Sequence, residues 1–133
     1  MIIVDTSVWI DYFKGLETPE TNALDRALGY EDVAIGDLIL LEILQGFRAD
    51  KDYKTAKAHL TSLQQFNMLT PDLAIKAAEN YRKLRKQGIT VRKTADVIIA
   101  TFCIEMRLPL LFTDRDFIPF AQHLKLRSVT EKI

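Results

Sequence analysis

The stretch IIVD at residues 2–5 decides the fold class, because three apolar residues in a row end at a carboxylate. A short apolar run without alternation is typical of a strand that is covered on both faces of a parallel sheet. An acid beside sequence that we expect to be buried recurs three times further along the chain, at Glu42, Asp96 and Asp114. These four acids are therefore candidates for one shared site.

Short apolar strands alternate with helical patterns along the chain. We predict strands at residues 2–4, 33–35, 66–69, 109–112 and 126–129, and helices at residues 6–13, 19–28, 38–47, 50–64, 70–86, 94–106 and 114–123. Thr6 or Ser7 is expected to cap the first helix and Asp37 the third. This alternation predicts an α/β fold of three layers, with a central parallel sheet of four to five strands and helices on both faces.

Size and composition narrow the class of protein. With 133 residues, 48% of them hydrophobic and 27% charged, residues 1–133 are expected to form a single globular domain. No apolar run approaches the roughly 20 residues that span a bilayer, so we expect no membrane partner. The chain opens without a basic leader and has one cysteine, Cys103. We therefore expect a cytoplasmic protein without a disulfide framework.

The positions of the acids predict a metal site. Ligands of open parallel sheets bind beyond the carboxyl ends of the strands, where Asp5 and Asp114 are expected. Glu42 and Asp96 fall in the first turn or two of helices that can face the same crevice. Several buried carboxylates in one place require a cation, and oxygen ligands alone favour Mg²⁺ or Mn²⁺ over zinc.

Each acid also has an ordinary interpretation. Asp5, Asp96 and Asp114 are placed where acids cap helices or favour a helix N-terminus. Glu42 is harder to explain in this way, because it is the only charged residue between Asp37 and Arg48. Its structural alternative is a buried basic partner, and the sequence names none.

A basic segment precedes Asp96, although the formal net charge of the chain is zero. Six of its residues are candidates for contact with a phosphate backbone: Arg82, Lys83, Arg85, Lys86, Arg92 and Lys93. The ordinary interpretation is a solvated helix face, which on its own is the better one. Beside an acidic metal site, the same charges can guide a phosphate backbone.

Other chemistries have less support in the sequence. His59 and His123 lack metal-ligand spacing and are expected at the surface, whereas Cys103 is expected in the core. Ser7 has no histidine partner for a nucleophilic triad. The five glycines are scattered, so there is no phosphate-binding loop.

Four segments of the chain resemble the motifs of PIN-domain ribonucleases, and most of all the VapC toxins of toxin–antitoxin pairs. They are residues 4–13 (VDTSVWIDYF), 41–47 (LEILQGF), 94–100 (TADVIIA) and 111–117 (LFTDRDF). The resemblance spans essentially the whole chain. It implies a metal-dependent endoribonuclease with a PIN-like fold, homodimeric, and inhibited by a small DNA-binding antitoxin.

Residue roles follow from the same resemblance. The metal ligands it implies are Asp5, Glu42, Asp96 and Asp114, with Asp116 as a fifth acid that is not ranked against Asp114. The hydroxyls it implies around these acids are those of Thr6, Ser7 and Thr113. Whether one Mg²⁺ or Mn²⁺ ion binds or two is left open.

Two other classes of protein remain as alternatives. A receiver-like signalling domain also has an acidic magnesium pocket on a parallel sheet, but it needs paired acids after the first strand and a lysine after the last. Asp5 has no neighbouring acid, and the turn at Thr113 and Asp114 has no lysine. A catalytically silent binding module with the same fold would be expected to lack one of the acids, and none is missing.

Overall fold

Four parallel strands form the centre of the molecule. The structure, a computed structural model, describes residues 1–129. Strands β1 (Ile2–Val4), β2 (Val33–Gly36), β3 (Gln64–Phe66) and β4 (Leu110–Leu111) lie in the order β3-β2-β1-β4. All of β2 and β4 is buried, so both faces of the sheet are covered. This confirms the predicted α/β fold with a parallel sheet.

Helices connect the strands and cover the sheet. Residues 1–129 contain α1 (Thr6–Phe13), α2 (Pro19–Gly29), α3 (Asp37–Gln45), α4 (Asp50–Thr61), α5 (Pro71–Lys86), α6 (Thr94–Met106) and α7 (Ile118–His123). A 3₁₀ turn at Arg115–Phe117 precedes α7. None of these helices is both long enough and apolar enough to cross a lipid bilayer.

The register of the sheet brings the ends of β1 and β4 together. Val4 lies opposite Leu111, and the backbone N–H of Asp5 donates to the carbonyl of Leu111 over 2.9 Å. Strands 1 and 4 are distant in sequence but adjacent in the sheet. The residues that follow each of them therefore share one edge.

Helix α6 is the most deeply buried helix of the fold. Its buried side chains include Ile99, Phe102 and Cys103, which confirms the prediction of a central helix and a core cysteine. Burial of a side chain such as Ile99 or Phe102 contributes about 1.5–3 kcal/mol relative to exposure. This packing fixes the N-terminus of α6, where Asp96 lies.

Two helix caps were predicted incorrectly. Asp5, not Thr6 or Ser7, occupies the N-cap position of α1, and its side chain makes no capping hydrogen bond. Gly36 occupies the N-cap position of α3, and Asp37 is the first helical residue. The Asp37 carboxylate instead accepts from the backbone N–H groups of Leu38 and Met68, which ties the start of α3 to the segment after β3.

The two outer strands also differ from prediction. Strand β3 covers Gln64–Phe66 and not residues 66–69, so α4 ends at Thr61. The predicted strand at 126–129 is reduced to a single parallel bridge between Ser128 and Leu110. Two exposed glutamines occupy β3, and the Ser128 bridge involves one residue pair. The pattern of apolar side chains therefore gives little information on the extent of either segment.

Candidate metal centre

Three acids converge at the edge formed by β1 and β4. Single carboxylate oxygens of Asp96, Asp114 and Asp116 all lie within 4.8 Å of one another. Asp96 projects from the first turn of α6, whereas Asp114 and Asp116 follow β4. Asp96 is only 6% exposed, and the other two are half-buried. The structure thus brings two of the four original candidates together with the fifth acid.

Asp5 and Glu42 lie outside this tight cluster, and the charge of Asp5 acts on Asp96 within it. Asp5 is 5% exposed, and its pKa is raised by burial. The hydrogen bond from the Ser7 side chain and the nearby backbone N–H groups of Thr6 and Ser7 oppose that rise, and the charge of Glu42 adds to it. Asp5 is thereby coupled to Glu42 on one side and to Asp96 on the other.

Asp96 has the largest pKa shift among the described carboxyl groups. Burial, above all, and the charges of Asp5, Asp114 and Asp116 together raise its pKa to about 7, although the charge of Lys93 acts against this rise. A carboxyl pKa near neutrality marks a place where negative charge is uncompensated. A bound cation would remove this cost.

The residues present fit a divalent cation. Within residues 1–129, Oδ2 of Asp96 is a buried oxygen without a hydrogen-bond partner. A buried oxygen of this kind normally has a partner, and a bound cation would supply one. The donor set is all carboxylate oxygen, which suits Mg²⁺ or Mn²⁺. The orphaned oxygen and the crowded charges thus indicate the same ligand.

Hydroxyl side chains tie the acids to one another. The Thr6 hydroxyl donates to Oε1 of Glu42 over 2.8 Å, and the Ser7 hydroxyl donates to Oδ2 of Asp5 over 2.9 Å. The hydroxyls of Ser7 and Thr113 are 3.2 Å apart. These contacts link α1, α3 and the end of β4, and they fix the orientation of the Asp5 and Glu42 carboxylates.

Glu42 has no basic partner in the part of the chain that the structure describes. No side-chain nitrogen of lysine, arginine or histidine there lies within 4.0 Å of its carboxylate. Among the described residues, its carboxylate accepts one side-chain hydrogen bond, from the Thr6 hydroxyl. The alternative of a buried ion pair therefore finds no support among the described residues.

Asp114 serves two roles at once. Its Oδ1 accepts from the backbone N–H of Asp116 over 2.9 Å, which caps the 3₁₀ turn as the ordinary interpretation anticipated. Its Oδ2 points to Lys93, with 3.6 Å between Nζ and the oxygen. Capping therefore uses one oxygen and leaves the other free for a cation.

The basic segment divides into two parts. Arg92 lies 3.7 Å from Asp116, and Lys93 occupies the N-cap position of α6 beside Asp114, so these two reach the acids. The remaining four, Arg82, Lys83, Arg85 and Lys86, are exposed on the last turns of α5, which packs against α6. Arg85 stacks over the Tyr81 ring at 5.6 Å.

A buried polar pair between α5 and α6 was not predicted from the sequence. Nδ2 of Asn80 donates to the hydroxyl of Thr101 over 3.0 Å, and both side chains are buried between α5 and α6. The signal was available, because Asn80 falls at helical spacing from Ala77 and Leu84 on the apolar face of α5. The predicted surface positions of His59 and His123 are confirmed.

Comparison with known proteins identifies the family. The PIN-domain family model matches residues 2–122. The chain belongs to the PIN-domain family. Curated relatives are a VapC ribonuclease, Mb1587, of Mycobacterium bovis and ribonuclease VapC11 of Mycobacterium tuberculosis, each 31% identical over 135 residues and covering 98% of both chains.

Solved structures share the fold at lower identity. The VapBC2 structure from Rickettsia felis, bound to a promoter DNA fragment, superposes with a TM-score of 0.75 at 16% identity and covers 96% of this chain and 97% of that one. FitAcB from Neisseria gonorrhoeae gives a TM-score of 0.73 at 16% identity over the full length of both chains. These likenesses confirm the three-layer fold.

Proposed function

We propose that this chain is a divalent-cation-dependent endoribonuclease and the toxin of a toxin–antitoxin pair. The observation that carries the proposal is the cluster of Asp96, Asp114 and Asp116 around an unpartnered buried oxygen of Asp96. It lies at the edge of the sheet where ligands of this fold class bind. The relationship to VapC ribonucleases supplies the substrate class, RNA.

The acids divide the work of holding the cation, Mg²⁺ or Mn²⁺. Asp5, Asp96, Asp114 and Asp116 are the proposed ligands, and Glu42 contributes charge through its coupling to Asp5. When bound, the cation supplies a Lewis acid that favours ionisation of water and neutralises charge developing on the scissile phosphate. No histidine takes part, since both histidines are exposed and outside the cluster.

The remaining polar residues orient the acids and the substrate. Ser7 holds one oxygen of Asp5 and Thr6 one oxygen of Glu42, so neither carboxylate is free to rotate away. Thr113 adds a third hydroxyl through its contact with Ser7. The six basic residues at 82–93 would contact RNA phosphates, which position a nucleic acid without reading its sequence.

Partners and setting complete the proposal. Structural neighbours include toxin–antitoxin complexes, and we infer a small DNA-binding antitoxin for this chain as well. Residues 1–133 act as a single nuclease domain, as a homodimer in the cytoplasm. Coexpression with the product of a neighbouring small reading frame, followed by copurification, tests the partner.

Cleavage of RNA tests the central claim. The wild-type protein should cut a pool of structured RNA with Mg²⁺ or Mn²⁺ and stop in excess chelator. Asp5→Asn and Asp96→Asn should each abolish cleavage while the circular dichroism spectrum is kept, because the change removes charge but little volume. Asp72→Asn, at an exposed acid in α5, is the matched control.

Two results would contradict the proposal. Equal cleavage by the wild type and both variants would show that the activity does not depend on these acids. Full activity in excess chelator would show that it does not depend on a divalent cation. A wild type that binds RNA in the presence of the cation but never cuts it would instead identify the silent binding module. The receiver-like alternative has no remaining observation in its favour, given the family assignment.

A further inference from the structure

The two halves of the acid cluster are neutralised differently. Asp114 and Asp116 each face one basic side chain, Lys93 and Arg92. Asp5 and Asp96, which are almost fully buried, have no basic side chain within ion-pair distance among residues 1–129. Within this group of four acids, the described basic side chains thus form ion pairs only with the outer, half-buried pair.

The two basic side chains approach oxygens that a divalent cation would also need. Oδ1 of Asp114 is occupied by the backbone N–H of Asp116, so Oδ2 is its free oxygen, and that is the oxygen that Lys93 faces. Arg92 faces Oδ1 of Asp116. A Mg²⁺ ion held by these oxygens at about 2.0–2.1 Å would lie close to both positively charged side chains, and like charges at such short range repel each other.

Both basic side chains are free to move away. The Lys93 side chain is 62% exposed and that of Arg92 is 81% exposed, on long flexible stems. Exposed ion pairs at 3.6–3.7 Å add little stability. Their loss would therefore cost the fold little.

We propose that Arg92 and Lys93 form a two-residue basic arm, paired with Asp114 and Asp116 in the cation-free protein, which turns to RNA phosphates when a divalent cation takes those carboxylates. The inference rests on the proposed function and deepens it. The arm competes with the cation and is released by it. Cation binding and RNA binding consequently support each other, as linkage requires.

The cation half of the proposal is tested without RNA. Mn²⁺ is titrated calorimetrically into the wild type, the double variant Arg92→Gln/Lys93→Gln and the control Lys83→Gln/Lys86→Gln. The control removes the same charge from exposed residues that have no ion pair among residues 1–129. The arm variant should bind Mn²⁺ roughly three- to tenfold more tightly, since two nearby positive charges are gone, and the control should stay close to the wild type. Unchanged affinity in the arm variant overturns the competition.

The RNA half separates a released arm from a fixed basic patch. Binding of a single-stranded RNA oligonucleotide is followed by fluorescence anisotropy with and without Ca²⁺, with intact RNA verified on a gel. The arm variant should lose about fivefold or more of its affinity with Ca²⁺ and less than about twofold without it, because the arm reaches phosphates only after release. The control variant should lose the same factor in both conditions.

Equal losses in the arm variant with and without Ca²⁺ would overturn the release of the arm and identify a permanent phosphate contact. A wild type that binds no RNA in either condition would overturn the proposed function, and with it the RNA half of this inference. The Mn²⁺ titration would still decide the cation half, so the two failures are distinguishable.

Discussion

Asp96 combines three properties that rarely occur together at an ordinary acid. It is 6% exposed, one of its oxygens has no partner among the described residues, and burial raises its pKa to about 7. A structural carboxylate would be paired or hydrogen-bonded at such a depth. The residue is therefore costly for the cation-free fold and is accounted for by the cation it is proposed to hold.

The pKa of Asp96 predicts how stability changes with pH. In the unfolded chain the carboxyl ionises near 3.8, whereas the folded protein keeps the proton up to about 7. Between these values the folded state binds more protons, so the free energy of unfolding should fall as the pH rises through this window, and Asp96 should add no further change above it.

Thermal melts in chelator at about pH 5 and about pH 8 measure this effect. Asp96→Asn should reduce the difference between the two melting temperatures, although the raised pKa of Asp5 will preserve part of it. The same pH dependence in the variant and the wild type would contradict the assignment.

Glu42 gives a second prediction at the scale of one residue. Glu42→Gln should abolish RNA cleavage and leave the cation-free protein equally or more stable, because a charge beside Asp5 disappears while the amide oxygen can still accept from Thr6. Activity assays and melts in chelator check the two parts. A large destabilisation of the cation-free variant would instead mean that Glu42 has a structural role.

The sequence located the individual acids but not their spatial relations. Asp5, Asp96 and Asp114 were found because each lies beside an apolar run, a local property. That Asp116 joins the close cluster and Glu42 does not depends on the direction of side chains from different elements. Asp37 was misassigned for a similar reason, since its partner Met68 is distant in the sequence.

At the scale of elements, the basic residues lie on α5 and on the segment that joins α5 to α6. The buried bond between Asn80 and Thr101 fixes the two helices to each other. Four of the basic residues lie on the last turns of α5, and the remaining two lie between its end and the start of α6. In the proposed function these six residues are the basic path along which RNA reaches Asp96.

The basic path makes a prediction about RNA binding. Replacement of Arg82/Lys83, Arg85/Lys86 or Arg92/Lys93 by glutamine in pairs should weaken RNA binding without moving the cleavage position, since phosphate contacts do not specify sequence. Each lost contact should lower the log–log salt slope by roughly 0.7 for a single strand. Binding measured over a range of salt concentrations checks it, and unchanged affinity and slope in all pairs would show a merely solvated face.

Prediction of the element bounds was best where an apolar run had clear end signals on both sides. The bounds of β1 and α6 were predicted correctly because their apolar runs are long or uninterrupted. Strand β3 was displaced, because its exposed residues Gln64 and Gln65 give no apolar signal and the nearby buried side chain, Met68, lies outside it. Edge strands are held by backbone pairing, which the pattern of side chains does not report.

At the scale of the whole molecule, the cation should stabilise the fold. Binding to the folded state alone adds about 2.7 kcal/mol at a cation concentration one hundred times the Kd. The melting temperature of the wild type should therefore rise with Mg²⁺ or Mn²⁺, and Asp96→Asn should suppress most of that rise. Differential scanning calorimetry measures it, with Asp72→Asn as the control. An equal rise in the Asp96 variant would place the stabilising ion elsewhere.

The pairing of β1 with β4 has a consequence during synthesis of the chain. Along the chain, the first of the proposed site acids is Asp5 and the last is Asp116. Asp5 follows β1 and Asp116 follows β4, which are the first and last strands in chain order and are neighbours in the sheet. A nascent chain that has not yet emerged beyond Asp116 therefore lacks part of the site. Under the proposed assignment, a fragment released before Asp116 is made lacks that ligand and should not cut RNA, so cleavage activity should appear only when synthesis of the chain is nearly complete.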